Sequence, residues 1–361
     1  MKIGVLGFFQ LRTMQYLTKY TDILDELNID YDVIHWSRSN DDIAPSFKGR
    51  HIVFNYEMVT EQPFYKKIGG FLKYAYFMRK TIKTNNYDKL IILTTQTAIP
   101  LFDILLQKYK RKYLYAYYDI TKELNSDIYK YIVKILLKKA SLVTMSSLGF
   151  LKVLGIKRLN NVILAHNTQS SYGNDNYSMN INYGLPIKIA YWGFIRQVEF
   201  NKKLCDMFGN NNKFEIYFHG GGLFEILKKY CLIQGYKNIF FTGRYDRKDI
   251  AYFVKNTDIL NCIYDNDNEM QPALQVKIYD AIGYKLPMLV SADSYASSFC
   301  ENISSVKAIN LSDANITEEI YKWYISLDVQ KGDSDYSLLK KQIDNDEDIF
   351  KNSIMNFVSE Q

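Results

Sequence analysis

Cysteine is scarce. The chain holds Cys205, Cys231, Cys262 and Cys300 and no others, none in a CxxC spacing. That argues against a zinc ribbon or a thioredoxin-like motif, and the four read as reduced, packed thiols of a cytosolic protein. Long apolar runs are also missing. The best candidate, residues 89–109, is interrupted by Gln96, Pro100 and Asp103, short of the ~20 apolar residues that a membrane span needs. Met1 leads directly into the apolar run KIGVLG, so no secretory leader is expected. The stretch GVLGFFQLR carries no G-x-G-x-x-G, which argues against a nicotinamide oxidoreductase. There is no dense arginine cluster and no nucleic-acid module, so nucleic acid is not an expected partner.

What is present suggests an ordinary soluble core. Hydrophobic residues make up 47% of 361, enough for about two domains. Aromatics reach 15%, with 31 tyrosines, which reads as a compositional habit. The net charge of +6 conceals an imbalance. Residues 1–166 contain 25 Lys+Arg against 14 Asp+Glu, and the remainder 20 against 25. The basic half is suited to something anionic: a phosphorylated substrate, a membrane surface or nucleic acid.

Strand-like runs alternate with amphipathic segments. KIGVLG, YDVIHW, HIVFNY, KLIILTT, KYLYAYYD, SLVTMSS and NVILAHN read as strands, separated mostly by helical patterns. Among those patterns is the long basic segment PFYKKIGGFLKYAYFMRKTIKTNN. The polar, aperiodic stretch at 168–186 reads as a linker. The alternation then restarts with IKIAYWG, FEIYFHG, NIFFTG, DILNCIY and MLVSA. Such alternation predicts parallel sheets covered on both faces. The expected class is α/β, with two doubly wound Rossmann-like domains in tandem and a cleft between them. The expected divisions are 1–167, a linker at 168–186, 187–335, and a terminal helix at 336–361 packing back on the first domain.

Ligands of open parallel sheets bind outside the carboxyl ends of the strands. Four strand ends of the second half carry suggestive residues: Gly193 with Arg196, His219 with Gly220, Gly221 and Gly222, Arg244 with Tyr245, and the segment PALQVKIYDAIGYKLPMLVS. In that last segment a helix opening at residue 273 would direct free N–H groups at a phosphate. Lys277 would add a point charge, Asp280 one turn on would accept from ribose hydroxyls, and Arg196 would close over a diphosphate. Plainer readings stand beside these. Lys277 and Asp280 fit a surface i, i+3 ion pair, the glycines a simple turn, and His219 a hydrogen-bonded loop residue.

Taken together, residues 187–300 resemble the donor domain of family-4-like GT-B glycosyltransferases. NIFFTGRY, DILNCIY and KIYDAIGYKLPMLVS correspond in order to that family's strand-glycine, strand and lysine–acid–proline motifs. The first half resembles the family more loosely, through KYLYAYYDI, VTMSSLGF and ILAHN. By position the resemblance implies that Arg196 and Lys277 hold the donor diphosphate and stabilise the leaving nucleotide. It implies that Asp280 stands at the ribose-binding acid, that Tyr245 lies near the base, and that Asp119 is the acceptor-side catalytic carboxylate. Gly193, Gly220, Gly221, Arg244 and Gln275 complete the implied donor site. The chain departs from the family pattern at Pro272, where an acid is usual, with Glu269 nearby; at Asp280, which replaces Glu; and at Lys285, which replaces a small residue before the proline.

The resemblance implies transfer of a sugar, most simply from a UDP-sugar, to a glycan or a lipid-diphosphate-linked acceptor. Bacterial surface polysaccharide synthesis, such as capsule assembly, is the matching context. No cofactor or metal is expected, although DND at 265–267 raises the alternative of a metal-binding acidic loop. The protein is expected in the cytoplasm, free or held peripherally on the inner face of the plasma membrane. The basic segment before residue 86 reads equally as an interfacial helix or as a core helix with a basic outer face. Other readings are a GT-B-shaped nucleotide-sugar epimerase and a non-catalytic nucleotide-sugar-binding relative.

Overall fold

A computed structural model describes the whole chain except residues 9, 12, 13, 15, 39–45, 59–63, 121–125, 169–176, 266, 268 and 361, and the side chains of 64–66. The chain divides into two compact units, Met1–His166 with Asn345–Gln361, and Asn167–Asp344.

The first unit is built on a seven-stranded parallel sheet. Its strands are β1 (Lys2–Leu6), β2 (Asp30–Ser37), β3 (Arg50–Asn55), β4 (Lys89–Leu93), β5 (Tyr113–Tyr117), β6 (Leu142–Met145) and β7 (Val162–Leu164). They lie in the order β3-β2-β1-β4-β5-β6-β7. β4 and β5 are buried along their whole length, which is why KLIIL and YLYAY read as unbroken apolar runs. Helix Leu17–Glu26 covers the sheet with Leu17, Tyr20, Thr21, Ile23 and Leu24. Phe350, Ile354, Phe357 and Val358 of the last helix enter the same core cluster. Lys19 pairs with Glu347 at 2.6 Å and His166 with Asp346 at 3.0 Å beside it.

The second unit holds six parallel strands: β8 (Ile187–Trp192), β9 (Phe214–His219), β10 (Ile239–Gly243), β11 (Ile259–Cys262), β12 (Met288–Ser291) and β13 (Val306–Ile309). Their order is β10-β9-β8-β11-β12-β13. This is the doubly wound order in which winding reverses beside the first strand, here between β8 and β11. Helix Val198–Phe208 buries Asn201, Leu204, Cys205 and Phe208, spaced for one helical face. All four cysteines are free and buried.

Three expectations need correction. The helix expected from residue 273 runs over Val276–Tyr284, because Pro272 and its neighbours form a turn, with Ala273 N donating to Met270 O at 3.2 Å. The last helix is Val329–Ser359, so the division placed at 335/336 falls inside it. β13 and the helices Tyr295–Phe299 and Ile316–Ile325 were not anticipated; the first two are only four and five residues long, whereas the third buries Ile316, Ile320 and Tyr324 at helical spacing.

Candidate functional site at the switch point of the second sheet

β8 and β11 pair only at Ile189↔Ile259 and Ala190↔Leu260. β8 continues to Trp192 and β11 to Cys262, so the two strands part before their carboxyl ends. Crevices at such points are where doubly wound sheets take ligands. The Asn261 carbonyl lies beyond the last shared pair and accepts the Lys277 ammonium at 2.9 Å. That ammonium sits 3.5 Å from the Tyr191 ring centroid and 4.5 Å from that of Tyr264. Lys277 is only 6% exposed. Burial pushes its pKa down to about 7, against the partial support of Cys262 and Asp280.

Asp280, one turn along, is 2% exposed. Its carboxylate accepts from Arg247 at 2.7 Å. The pair is therefore no surface i, i+3 bridge between Lys277 and Asp280. Each charge is buried on the helix and turned to a partner from a different element.

The glycine segments after β8 and β9 zip together. Gly193 N donates to His219 O, Ile195 N to Gly221 O and Leu223 N to Ile195 O, at 2.9–3.0 Å. A Cβ on Gly220 would lie 1.6 Å from the Gly193 carbonyl oxygen, so backbone meets backbone there. Gly193 itself sits at φ +128°, a left-handed conformation that favours glycine. His219 stacks on Phe253 at 3.8 Å and its Nδ1 lies 3.1 Å from Thr242 Oγ1. Burial pushes its pKa down to about 4, so it is a neutral packing residue.

Beside this zipper lies a pocket of about 430 Å³, lined by Gly193, Phe194, Gly220, Gly221, Arg244, Tyr245 and Arg247. The Arg244 guanidinium is exposed and has no carboxylate or hydrogen-bond partner among the described residues. The Tyr245 ring packs edge-on against Phe253 at 5.1 Å. Arg196 is exposed, lies 5.7 Å from the Phe194 ring centroid, and favours ionisation of the Tyr191 and Tyr264 hydroxyls, though burial holds both pKa values up. Arg196 and Lys277 thus act on the same two tyrosines.

Three buried polar atoms near the crevice have no hydrogen-bond partner among the described residues: Trp192 Nε1 at the end of β8, Asn261 Nδ2 in β11, and Gln275 Oε1 at the N-terminal flank of the helix. Unsatisfied buried groups are rare in folded proteins and gather where a ligand or water completes them. The Gln275 side chain makes no cap bond to the helix behind it, but its Nε2 donates to Met270 O at 3.2 Å. The first-turn N–H groups of that helix are left without a side-chain acceptor from Gln275.

The acidic loop is anchored by Gln197. Its Nε2 donates to Asp267 at 2.7 Å and its Oε1 accepts from Asp265 N at 3.1 Å. Asp267 also accepts from the backbone of Glu269 and Met270. Asn266, the middle of DND, lies outside the described residues. No group of three or more metal-ligating side chains occurs among the described residues.

Of the residues singled out in the sequence, Gly193, Gly220, Gly221, Arg244 and Tyr245 line one pocket. Gln275 immediately precedes the helix that carries Lys277 and Asp280, with Asp280 tied to the pocket through Arg247. Asp119 lies in the first unit, exposed, two residues past the end of β5, where it raises the pKa of the Tyr16 hydroxyl after burial has done so. Sequence reasoning missed Arg247, Gln197, Tyr191 and Tyr264. Arg247 stands four residues beyond Gly243, and only its position after a strand end marked it.

The backbone is similar over its whole length to solved glycosyltransferases. Sucrose-phosphate synthase from Thermosynechococcus elongatus superposes with a TM-score of 0.73 at 13% identity, covering 100% of both chains. HepE of Anabaena, solved with UDP and glucose, gives 0.67 at 15% identity and 99% coverage of each. The lipopolysaccharide outer core galactosyltransferase WaaB gives 0.66 at 11% identity, again over 99% of each chain. The fold is GT-B. A structure described as a UDP-N-acetylglucosamine 2-epimerase from Listeria monocytogenes is also similar, at a TM-score of 0.54 and 11% identity, covering 93% of this chain and 90% of its own. No protein-family model matches the GT-B chain described here, and no curated protein matches it in sequence.

Proposed function

We propose that this GT-B chain is a glycosyltransferase, of hexosyltransferase type, that moves a sugar from a UDP-sugar to a glycan or lipid-diphosphate-linked acceptor. The context is bacterial surface polysaccharide synthesis of the capsule kind, in the cytoplasm or at the inner face of the plasma membrane. One observation carries the reading. Exposed Arg196 and Arg244 and the buried Lys277 ammonium gather at the carboxyl edge of the second sheet, beside three buried polar atoms without partners. An anionic ligand that also carries hydroxyl donors suits such a site, since Trp192 Nε1 and Asn261 Nδ2 donate and Gln275 Oε1 accepts.

In this reading the diphosphate lies against Lys277 and the first turn of helix Val276–Tyr284, with Arg196 over it. Among the described residues the ammonium donates to one oxygen, Asn261 O, so phosphate oxygens can take its other N–H groups. As the bond to the sugar breaks, negative charge grows on the departing UDP, and these fixed positive groups stabilise it without rearranging. That role needs no metal, and turnover should persist in EDTA. The base and ribose lie toward the pocket of Arg244, Tyr245 and Arg247. Asp119 either takes the proton of the acceptor hydroxyl, in an inverting reaction, or orients it, in a retaining one.

The test is a thermal-shift and turnover panel over nucleotides, UDP-sugars and lipid or glycan acceptors. UDP-sugars should raise Tm more than other nucleotide sugars, and UDP should be released only when an acceptor is added. Absence of any nucleotide response removes the reading, and conversion of a free UDP-sugar without acceptor replaces it with epimerisation.

The Arg247–Asp280 pair gives a second test. Asp280→Asn keeps the shape but removes the charge that holds Arg247 at the pocket wall. UDP binding should weaken about tenfold, ~1.4 kcal/mol, with the loss read by calorimetry. Unchanged affinity would show that Arg247 needs no anchor to serve the site.

A further inference from the structure

Helix Phe64–Asn85 of the first unit carries six Lys or Arg residues and no Asp or Glu. Its inward face is well packed. Gly70 lies against Trp36, where an added Cβ would approach the ring to 2.9 Å. Tyr74 packs on Phe8 and Trp36 and donates to the Gly7 carbonyl, and Met78, Thr81 and Ile82 are buried with it. The core therefore claims one side of this helix completely.

The other side is also apolar in part. Ile68, Leu72 and Tyr76, four residues apart and so on one line, are 41%, 66% and 69% exposed. Lys73, Lys80 and Lys83 are exposed as well and have no carboxylate partner among the described residues. Arg79 is different, being held by Asp103 at 2.6 Å. Helix Asp127–Lys139 of the same unit repeats the pattern, exposing Ile128 and Tyr131 with Lys138 and Lys139. Helix Phe224–Gln234 of the second unit also exposes Leu232 and Ile233, but it carries Glu225 against only Lys228 and Lys229. A larger excess of positive charge sets the first-unit helices apart, with six Lys or Arg and no acid on Phe64–Asn85 and four Lys against Asp127 on Asp127–Lys139.

We propose that the outer face of helix Phe64–Asn85, with Ile68, Leu72 and Tyr76 along its centre and Lys73, Lys80 and Lys83 around them, is a docking surface for a bilayer rich in anionic phospholipid. Aliphatic side chains and a tyrosine would enter the headgroup boundary while the lysine stems extend along it, their ammonium groups at the phosphates. A protein partner of ordinary composition would place acidic groups against these lysines at a few positions. A lipid surface supplies a continuous field of negative charge and an apolar layer together, which matches cations and aliphatics mixed along one helix. The proposal deepens the acceptor side of the function above, because it brings the first unit to the place where lipid-linked acceptors reside. It is tested without turnover, so it can fail while the donor site stands.

The experiment is flotation of the full chain with vesicles of phosphatidylcholine mixed with phosphatidylglycerol, against vesicles of phosphatidylcholine alone. Binding to the mixed vesicles should be at least about tenfold stronger and should fall as salt is raised. The double substitution Leu72→Ser with Tyr76→Ser should lower it about tenfold, and Lys73→Gln with Lys80→Gln should lower it similarly and flatten the salt dependence. All four positions are exposed, so Tm should not move. No binding to the mixed vesicles, or binding indifferent to both double variants, overturns the proposal. So does a concentration-dependent dimer that the Leu72 and Tyr76 changes abolish, since a second copy would then be the occupant.

Discussion

Lys277→Met is expected to yield a protein that is more thermostable than the wild type and binds UDP-sugars at least about a hundredfold more weakly, ~2.7 kcal/mol. The two effects come from one cause. Lys277 is fully surrounded, and burial lowers its pKa from 10.5 to about 7. Below about pH 7 the amine is protonated in folded and unfolded chains alike, and the folded state bears the whole desolvation penalty. Between there and 10.5 the unfolded chain binds the extra proton, so stability rises with pH, and above 10.5 both states are neutral and the penalty is gone. Methionine fills a similar volume without charge. It forfeits the bond to Asn261 O and the contacts with Tyr191 and Tyr264. The net gain should be about 1–4 kcal/mol, as for other buried charges exchanged for apolar side chains. That corresponds to a Tm rise of several degrees at about pH 6, shrinking as the buffer approaches the ordinary lysine pKa. A Tm at or below wild type in mild acid would contradict this account of the charge, and undiminished affinity would remove Lys277 from the donor site.

Gly220→Ala should be the most damaging small substitution in the second unit. Its Cβ would stand 1.6 Å from the Gly193 carbonyl oxygen and 2.7 Å from the carbonyl carbon. Neither atom can rotate aside, as a side chain could. Relief requires the segments after β8 and β9 to part, which breaks the hydrogen bonds joining Gly193, Ile195 and Leu223 to their partners. A loss of about 2–4 kcal/mol is expected, together with loss of the pocket those segments wall. Two neighbours serve as controls. At Gly221 the new methyl meets Arg244 Cγ at 2.8 Å, the stem of a flexible side chain. At Gly193 it meets nothing within 4 Å, but φ of +128° imposes strain of about 1–2 kcal/mol. Urea unfolding of the three variants should rank Gly220→Ala as the least stable, and equal losses would refute the contact.

Most of the architecture was legible because burial on both faces of a parallel sheet writes apolar runs such as KLIIL and ILNC directly into the chain. Strand ends then mark ligand positions by topology alone, which is how Gly193, Gly220, Gly221, Arg244 and Tyr245 could be grouped before any coordinates. The beginning of helix Val276–Tyr284 was misplaced by three residues, because the turn through Pro272 depends on contacts such as Tyr295 N to Gln271 O that no local pattern reveals. The i, i+3 spacing of Lys277 and Asp280 left a mutual surface pair open as the plainer reading beside that of two grips on a nucleotide. Instead Asp280 turned to Arg247, 33 residues away, and Lys277 to a strand carbonyl 16 residues away.

The amino-acid order alone determined the two-sheet α/β plan and the places where its strands end. These follow from hydrophobic period and chain topology, which are local or nearly so. Tertiary structure alone decided which cation is buried and which is exposed, that Asp280 holds Arg247, and that helix Phe64–Asn85 turns Leu72 and Tyr76 outward while Tyr74 enters the core. Those outcomes depend on which distant element arrives beside a side chain, and burial, pairing and proton affinity are properties of that neighbourhood rather than of the residue.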